Sequence, residues 1–306
     1  MEVRFKTFSS YLKSIFGERV YRVTVDAGFT CPNRDGTKGI EGCIYCYAGS
    51  EYDKDKRKLS VEEQIALGIE RIGRRYKAKK FLVYFQAFTN TYAPVEKLKS
   101  VYDKIKKFPE VVGLIVGTRP DVVSEEVLEL INGYTDDYLV WIEYGLESPH
   151  FKSLEWMKRG HGFSDFLNAY LVTRKYKKIN ICSHIILGIP GESKKEMLET
   201  ADILAALRMD GVKIHPLHVI KNTPLAEIYE KESFSILSED EYVDFVVDFI
   251  ERLYPETVVQ RITGEVPSDL LIAPHYCDRR EKSRLIQKIR NRFIERNTYQ
   301  GKAFRF

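Results

Sequence analysis

The sequence predicts an α/β protein, a partial (β/α)6 TIM-type barrel with a C-terminal α/β extension. Two observations carry that prediction. Short apolar strands alternate six times with amphipathic helices, the pattern of βα units around a parallel sheet. The unusual polar residues fall directly after those strands, on what would be one rim of such a barrel. The chain has 306 residues, 44% of them hydrophobic and 30% charged, which is material for a large core and not for a disordered or fibrous chain. No apolar run reaches the ~18 residues that a membrane span requires.

The elements follow in order. Val20 to Asp26 reads as a strand, and a cysteine-bearing loop comes after it. Ser60 to Tyr76 has helical apolar spacing, with Ser60 and Glu63 placed as a capping box. Then come FLVYFQAF (strand), Val95 to Lys107 (helix), VVGLIVGT (strand) and Ser124 to Asn132 (helix). YLVWIEYGL is the fourth strand, Phe163 to Lys177 the helix that follows it, INICSHIILGIP the fifth strand and Lys194 to Arg208 its helix. GVKIHPLHVI is the sixth strand, and six units make three quarters of an eight-unit barrel. The expected division is a core at 1–226 and an extension at 227–306 containing a helix from Ser238 to Leu253, a short strand TVVQRIT and a basic helix.

Charge is unevenly placed. Residues 279–306 contain ten Lys or Arg against Glu281 and Glu295, a balance of +8 in a chain whose total is +4. Arg280, Arg284, Lys288, Arg292 and Arg296 recur at four-residue intervals, which on a helix makes a basic ribbon, with Leu285, Ile289 and Phe293 on another face. The ribbon reads equally as a phosphate-binding surface for nucleic acid or as a solvated terminal helix. The start, MEVRFKTFSSYLKSIF, is charged and lacks the apolar stretch of a secretory signal, so the expectation is a cytoplasmic protein with reduced thiols.

Of five cysteines, three lie together as CPNRDGTKGIEGCIYC, with Cys31, Cys43 and Cys46 spaced C-x11-C-x2-C. Clustered thiols in a reducing compartment are metal or redox groups more often than disulfides. Tetrahedral zinc would need a fourth nearby ligand, and no His or further Cys occurs until His150. Three thiolates instead suit a four-iron cluster with one iron left open, wrapped by a loop rich in Gly and Asn. Cys182, inside an apolar strand, reads as a buried core residue, and Cys277 as a packed or reactive thiol.

The three-cysteine loop after the first strand, the aromatic Tyr45 before the last cysteine and the six βα units together resemble the radical S-adenosylmethionine superfamily. The first gap departs from that superfamily's usual C-x3-C-x2-C. The segments FGERVYRVTVDAGFTCPNRDGTKGIEGCIYC, YFQAFTNTYAP, GTRPD, YGLES, KRGHG, SHIILGIPGE and KNTPL resemble its Elp3-related, YhcC/YtqA-like subfamily, as do QRITGEVPSDLLIAP and the late QGKA. The resemblance implies a [4Fe-4S] cluster on Cys31, Cys43 and Cys46. It implies S-adenosyl-L-methionine bound at the open iron and cleaved by one electron to a 5′-deoxyadenosyl radical. An electron donor such as flavodoxin or ferredoxin would be a partner.

By the same resemblance Tyr45 lies against the adenine, or is a core tyrosine. Gln86 and Thr89 stand where relatives bind the methionyl amino group. Glu147 approaches the methionyl or ribose end of the cofactor, and Arg159 clamps its carboxylate through a guanidinium fork. Gly188 and Gly191 pack on adenine, or merely form a strand-to-helix turn. Gly117 replaces a cofactor-contacting glutamate, leaving Arg119 and Asp121 to pair with each other. His184, His215 and His218 read as hydrogen-bonded core or rim histidines outside the catalytic set. The substrate that the resemblance and the basic ribbon suggest is tRNA at its wobble uridine side chain. The alternatives are radical chemistry on a small metabolite or peptide, and a noncatalytic iron–sulfur binding or sensing module.

Overall fold

The computed structural model describes residues 3–47, 58–232 and 234–306. Seven parallel strands form one curled sheet, a partial barrel in the order β1 (Val20–Val25), β2 (Lys80–Phe85), β3 (Val111–Thr118), β4 (Leu139–Glu147), β5 (Ile179–Leu187), β6 (Gly211–Pro216) and β8 (Val258–Arg261). Each pairs in parallel with its neighbours in that order, so β1 and β8 are the two edges. The expected sixth strand breaks at Pro216, whose missing N–H cannot continue a ladder, and Val219–Ile220 (β7) pairs antiparallel with Leu271–Ala273 (β9). The TVVQRIT segment supplies β8, which joins the main sheet.

The crossover helices are α2 (Val61–Tyr76), α3 (Val95–Tyr102), α4 (Glu125–Asn132), α6 (Phe163–Thr173) and α7 (Lys194–Ala206). Ser60, Ser124 and Ser193 cap three of them by accepting a backbone N–H, and Ser60–Glu63 is the capping box its sequence promises. The helix expected from Val95 to Lys107 tightens after Tyr102 into a 3-10 turn over Asp103–Lys107. Helices not foreseen are α1 (Phe8–Phe16), α5 (Phe151–Trp156) and α8 (Pro224–Glu232). Helices α9 (Glu239–Arg252) and α10 (Lys282–Glu295) pack together at the C-terminal end of the chain. Among the described residues no helix is long and apolar enough to cross a membrane.

Strand alternation divides the core into two layers. Val23, Val83, Leu114, Val116, Ile142 and Ile181 face the helices in one large cluster. Leu82, Tyr84, Ile115, Trp141, Cys182 and Val258 form another inside the curl, closed at one end by Phe8 and Leu12 of α1. The strand positions two residues further on the same faces, among them Glu143, His184 and Lys213, make the interior polar where it approaches the strands' carboxyl ends.

Candidate active site

A cavity of about 350 Å³ opens at the carboxyl ends of the strands, and Cys31, Cys43 and Cys46 all line it. The loop that carries them is held by its own backbone: Arg34 N and Asp35 N both bond to Cys31 O, Gly42 N to Asn33 O, and Cys46 N to Cys43 O at 2.9 Å. Asn33, which the sequence reading did not single out, fastens the loop to the KRGHG turn by donating to the carbonyls of Lys158 and Arg159, each at 2.9 Å. The same amide lies 3.4 Å from Cys43 Sγ. Arg34 donates to Cys46 O at 2.8 Å.

Arg159 is brought to the thiols across 116 residues of sequence. Its Nη1 sits 3.4 Å from Cys43 Sγ, its Nη2 donates to Gly145 O at 2.8 Å, and its Nε meets His161 Nε2 at 3.1 Å. Burial opposes its charge, yet Tyr45, Cys43 and Glu147 around it hold the guanidinium well above its ordinary pKa. Glu147 ends β4 beyond a register shift, at a φ of 64°, which swings its carboxylate to 3.7 Å from Arg159. A side chain at Gly145 would meet both partners, with a Cβ 2.6 Å from Glu147 Oε1 and 2.7 Å from Arg159 Nη2, so the glycine of YGLES makes room for this pair.

Tyr45, Gln86, Thr89, Gly117 and Thr118 complete the same wall. Arg119 and Asp121 pair in a fork of two 3.0 Å bonds, and Arg119 also donates to Arg159 O at 2.7 Å, so this pair buttresses the KRGHG turn. Burial, and then the charges of Arg159 and Arg119, push the pKa of His161 down to about 3. Gly188 and Gly191 are not among the residues that line the cavity; both sit at positive φ in the turn after β5.

The floor is a buried ionic cluster. Glu143 is fully buried, bonded to Lys213 and, at 2.8 Å, to His184 Nε2; Lys213 also donates to Tyr84 OH at 3.1 Å. Burial works against ionising Glu143, but Lys213 and His184 bring its carboxyl well below the usual range. Burial lowers Lys213 to about 8 despite the carboxylate beside it. His218 is bonded to Pro216 O at 3.0 Å, and the His215 ring stacks obliquely 5.9 Å from that of His184. These histidines are hydrogen-bonded or core-packed as their strand positions suggest, while His184 and His218 also face the cavity.

The donor set suits a cluster rather than a single ion. Among the described residues no three His, Cys, Asp or Glu groups converge closely enough to hold one metal ion. Three thiols on one cavity are the donor type that holds a four-iron core with one iron left open. Burial and the neighbouring Cys43 hold the Cys46 thiol above its ordinary pKa, with Arg34 opposing, and Arg34, Arg159 and Asn33 are the donors placed beside these thiols. Cys182 and Cys277 are fully buried elsewhere, and burial pushes both thiols up.

The basic ribbon has a different setting. Arg284 and Lys288 pair with Glu239, Lys288 and Arg292 with Asp240, Arg292 and Arg296 with Asp244, and Arg296 with Asp248. Arg280 forks onto Asp278. The four-residue spacing thus faces an acidic stripe on α9, and this network is why a strongly basic helix is neutralised within the chain.

A curled parallel half-barrel with three loop thiols at its carboxyl rim is the architecture of a cluster-dependent radical enzyme. The chain belongs to the radical SAM superfamily, in the Elp3-related group that includes YtqA and YhcC. Residues 31–204 match the Radical SAM superfamily, and 209–295 match the Radical_SAM C-terminal domain. It is 37% identical to YtqA of Bacillus subtilis (strain 168) over 304 residues, covering 99% of this chain and 94% of that protein. It is 28% identical over 165 residues to the tRNA uridine(34) acetyltransferase of Methanocaldococcus infernus, covering 53% of this chain and 30% of that one. The solved Elp3 of Methanocaldococcus infernus superposes with a TM-score of 0.68 at 19% identity, over 92% of this chain and 64% of the other, a likeness of fold.

Proposed function

We propose that this protein binds a [4Fe-4S] cluster through Cys31, Cys43 and Cys46, cleaves S-adenosyl-L-methionine reductively, and modifies the wobble uridine side chain of tRNA. The observation that carries the reading is that three thiols from one loop share a cavity with a buried arginine–glutamate pair brought from two other turns. The bound cofactors would supply a 5′-deoxyadenosyl radical that abstracts a substrate hydrogen. Everything else falls to the chain. Arg159 neutralises thiolate charge at Cys43 and offers a guanidinium to the cofactor carboxylate, and Glu147 accepts from its ammonium or ribose hydroxyls. Tyr45 offers a flat face to adenine, and Gln86 a neutral amide to the methionyl end. The electron would come from a small carrier such as flavodoxin or ferredoxin.

Support for tRNA comes from the relatives that carry a tRNA uridine(34) acetyltransferase name. The ribbon of Arg280, Arg284, Lys288, Arg292 and Arg296 adds little, because RNA there would have to displace α9's carboxylates and Asp278. The test is to incubate reconstituted protein with S-adenosylmethionine, dithionite and bulk tRNA from a strain lacking the gene. A mass change at a tRNA nucleoside with 5′-deoxyadenosine above the level without RNA supports the reading. Cofactor cleavage that ignores tRNA moves the substrate to the small-molecule class.

A further inference from the structure

A second cavity, of about 520 Å³, lies at the open seam of the barrel between the edge strands β1 and β8, with α1 and α10 on its sides. It shares no lining residue with the cysteine cavity. Its charged lining is one-sided: Arg19, Arg22, Arg261, Lys282 and Arg290 against a single carboxylate, Glu265. Glu265 pairs with Lys282 at 2.7 Å, and, against burial, the charges of Arg261 and Arg22 also hold its carboxyl below the usual range. Among the described residues no carboxylate lies within ion-pairing distance of Arg19, Arg22, Arg261 or Arg290, in contrast to the ribbon on the neighbouring face of α10, where every cation is matched.

The cavity also holds polar groups without partners. Arg22 Nη1, Arg261 Nε and Arg290 Nε are buried with no hydrogen-bond acceptor, and Gln260, only 7% exposed, has neither amide atom satisfied. Orphaned buried donors are costly, more so when charged, and the four residues that carry these all line one cavity, where a ligand could take them. Burial and then the charge of Arg261 lower the pKa of Arg22, against the pull of Glu143, Tyr84 and Glu265. A bound anion would relieve both costs. Planar guanidinium forks match the tetrahedral oxygens of a phosphate. The volume exceeds what a bare phosphate needs, and Phe8, Leu12 and Ile286 give it an apolar wall.

We propose that this seam cavity is a binding site for a phosphate ester, with Arg22, Arg261 and Arg290 holding the phosphate and Gln260 an adjoining polar group. From the basic C-terminal segment, Lys282 and Arg290 line the seam. The inference stands apart from the cofactor reading, since none of its residues lines the cysteine cavity. The ester can belong to a free sugar phosphate or to an RNA backbone.

The experiment titrates the cluster-loaded protein with ribose 5-phosphate, with ribose as the control, by isothermal calorimetry, and separately with a tRNA transcript by filter binding across salt concentrations. Variants are Arg261→Gln and Arg290→Gln, with Arg19→Gln as a third on the exposed rim should either fold poorly; far-ultraviolet dichroism checks each. The expected result is that ribose 5-phosphate binds, ribose does not, and each variant weakens binding about tenfold or more. If the ester is RNA's, ribose 5-phosphate binds poorly while Arg290→Gln lowers the tRNA salt slope by ~0.7–0.9. Folded variants that leave both ribose 5-phosphate and tRNA binding unchanged overturn the proposal, as does the intact protein binding neither.

Discussion

Lys213→Met tests whether the cavity floor is a true buried ion pair. Lys213 and Glu143 are almost completely buried, and Glu143 has one carboxylate oxygen already without a hydrogen-bond partner. Removing the ammonium leaves the carboxylate with uncharged hydrogen-bonding neighbours, His184 at 2.8 Å and the Tyr84 hydroxyl. Breaking such a pair from one side typically costs ~3–5 kcal/mol, because an uncompensated charge stays in the interior. Glu143→Gln removes the charge that needs compensation, so the double variant Lys213→Met/Glu143→Gln should cost at least ~1–2 kcal/mol less than the sum of the singles. Anaerobic urea unfolding followed by tryptophan fluorescence reads this directly, since Trp141 packs in the same inner cluster. A Lys213→Met cost below ~1 kcal/mol, or strict additivity, would refute the reasoning.

Three further outcomes are expected. Arg159→Ala and Glu147→Ala should each weaken S-adenosylmethionine binding more than ~10-fold by equilibrium dialysis, since each removes a charged hydrogen-bonding group; wild-type affinity in both would remove them from the cofactor site. His161, held at about 3 against 6.5 for the free side chain, is neutral in the folded state while the unfolded chain takes up a proton. Its contribution is therefore complete above pH 6.5 and is lost as pH falls to 3, by at most ~5 kcal/mol; His161→Gln should flatten that part of the stability curve, and an imidazole resonance that titrates near 6.5 would contradict it. The triple variant Arg284→Gln/Lys288→Gln/Arg292→Gln should lose ~1–2 kcal/mol of stability in thermal unfolding through the α9–α10 network while binding S-adenosylmethionine normally. A triple variant as stable as wild type would show that the network contributes nothing.

The barrel was legible because short apolar runs and capped helices report local physics, and Ser60–Glu63 or VVGLIVGT need no distant partner to be read. The cysteine loop was legible from its spacing. Arg159 was visible only through the motif around it, since nothing local says that it will reach Cys43 from 116 positions away. Asn33 looked like a loop residue, and its role depends on the carbonyls of Lys158 and Arg159, which the fold alone delivers. Glu143 and Lys213 sit inside apolar strands where a single charge reads as a solvent-facing position; the curl of the sheet turns those positions inward and makes them partners. The ribbon's spacing was plain, but its partners lie on α9, more than forty residues earlier. The seam cavity was invisible because β1 and β8 come from opposite ends of the chain.

The most direct test of the central claim is electron paramagnetic resonance of the anaerobically reconstituted, dithionite-reduced protein with and without S-adenosylmethionine. The account predicts about four irons per chain, a reduced-cluster signal that shifts on adding S-adenosylmethionine as the open iron takes a ligand, and loss of iron and signal in Cys31→Ala, Cys43→Ala and Cys46→Ala but not in Cys182→Ala. Stoichiometric zinc without a cluster, or a signal indifferent to S-adenosylmethionine, would contradict it.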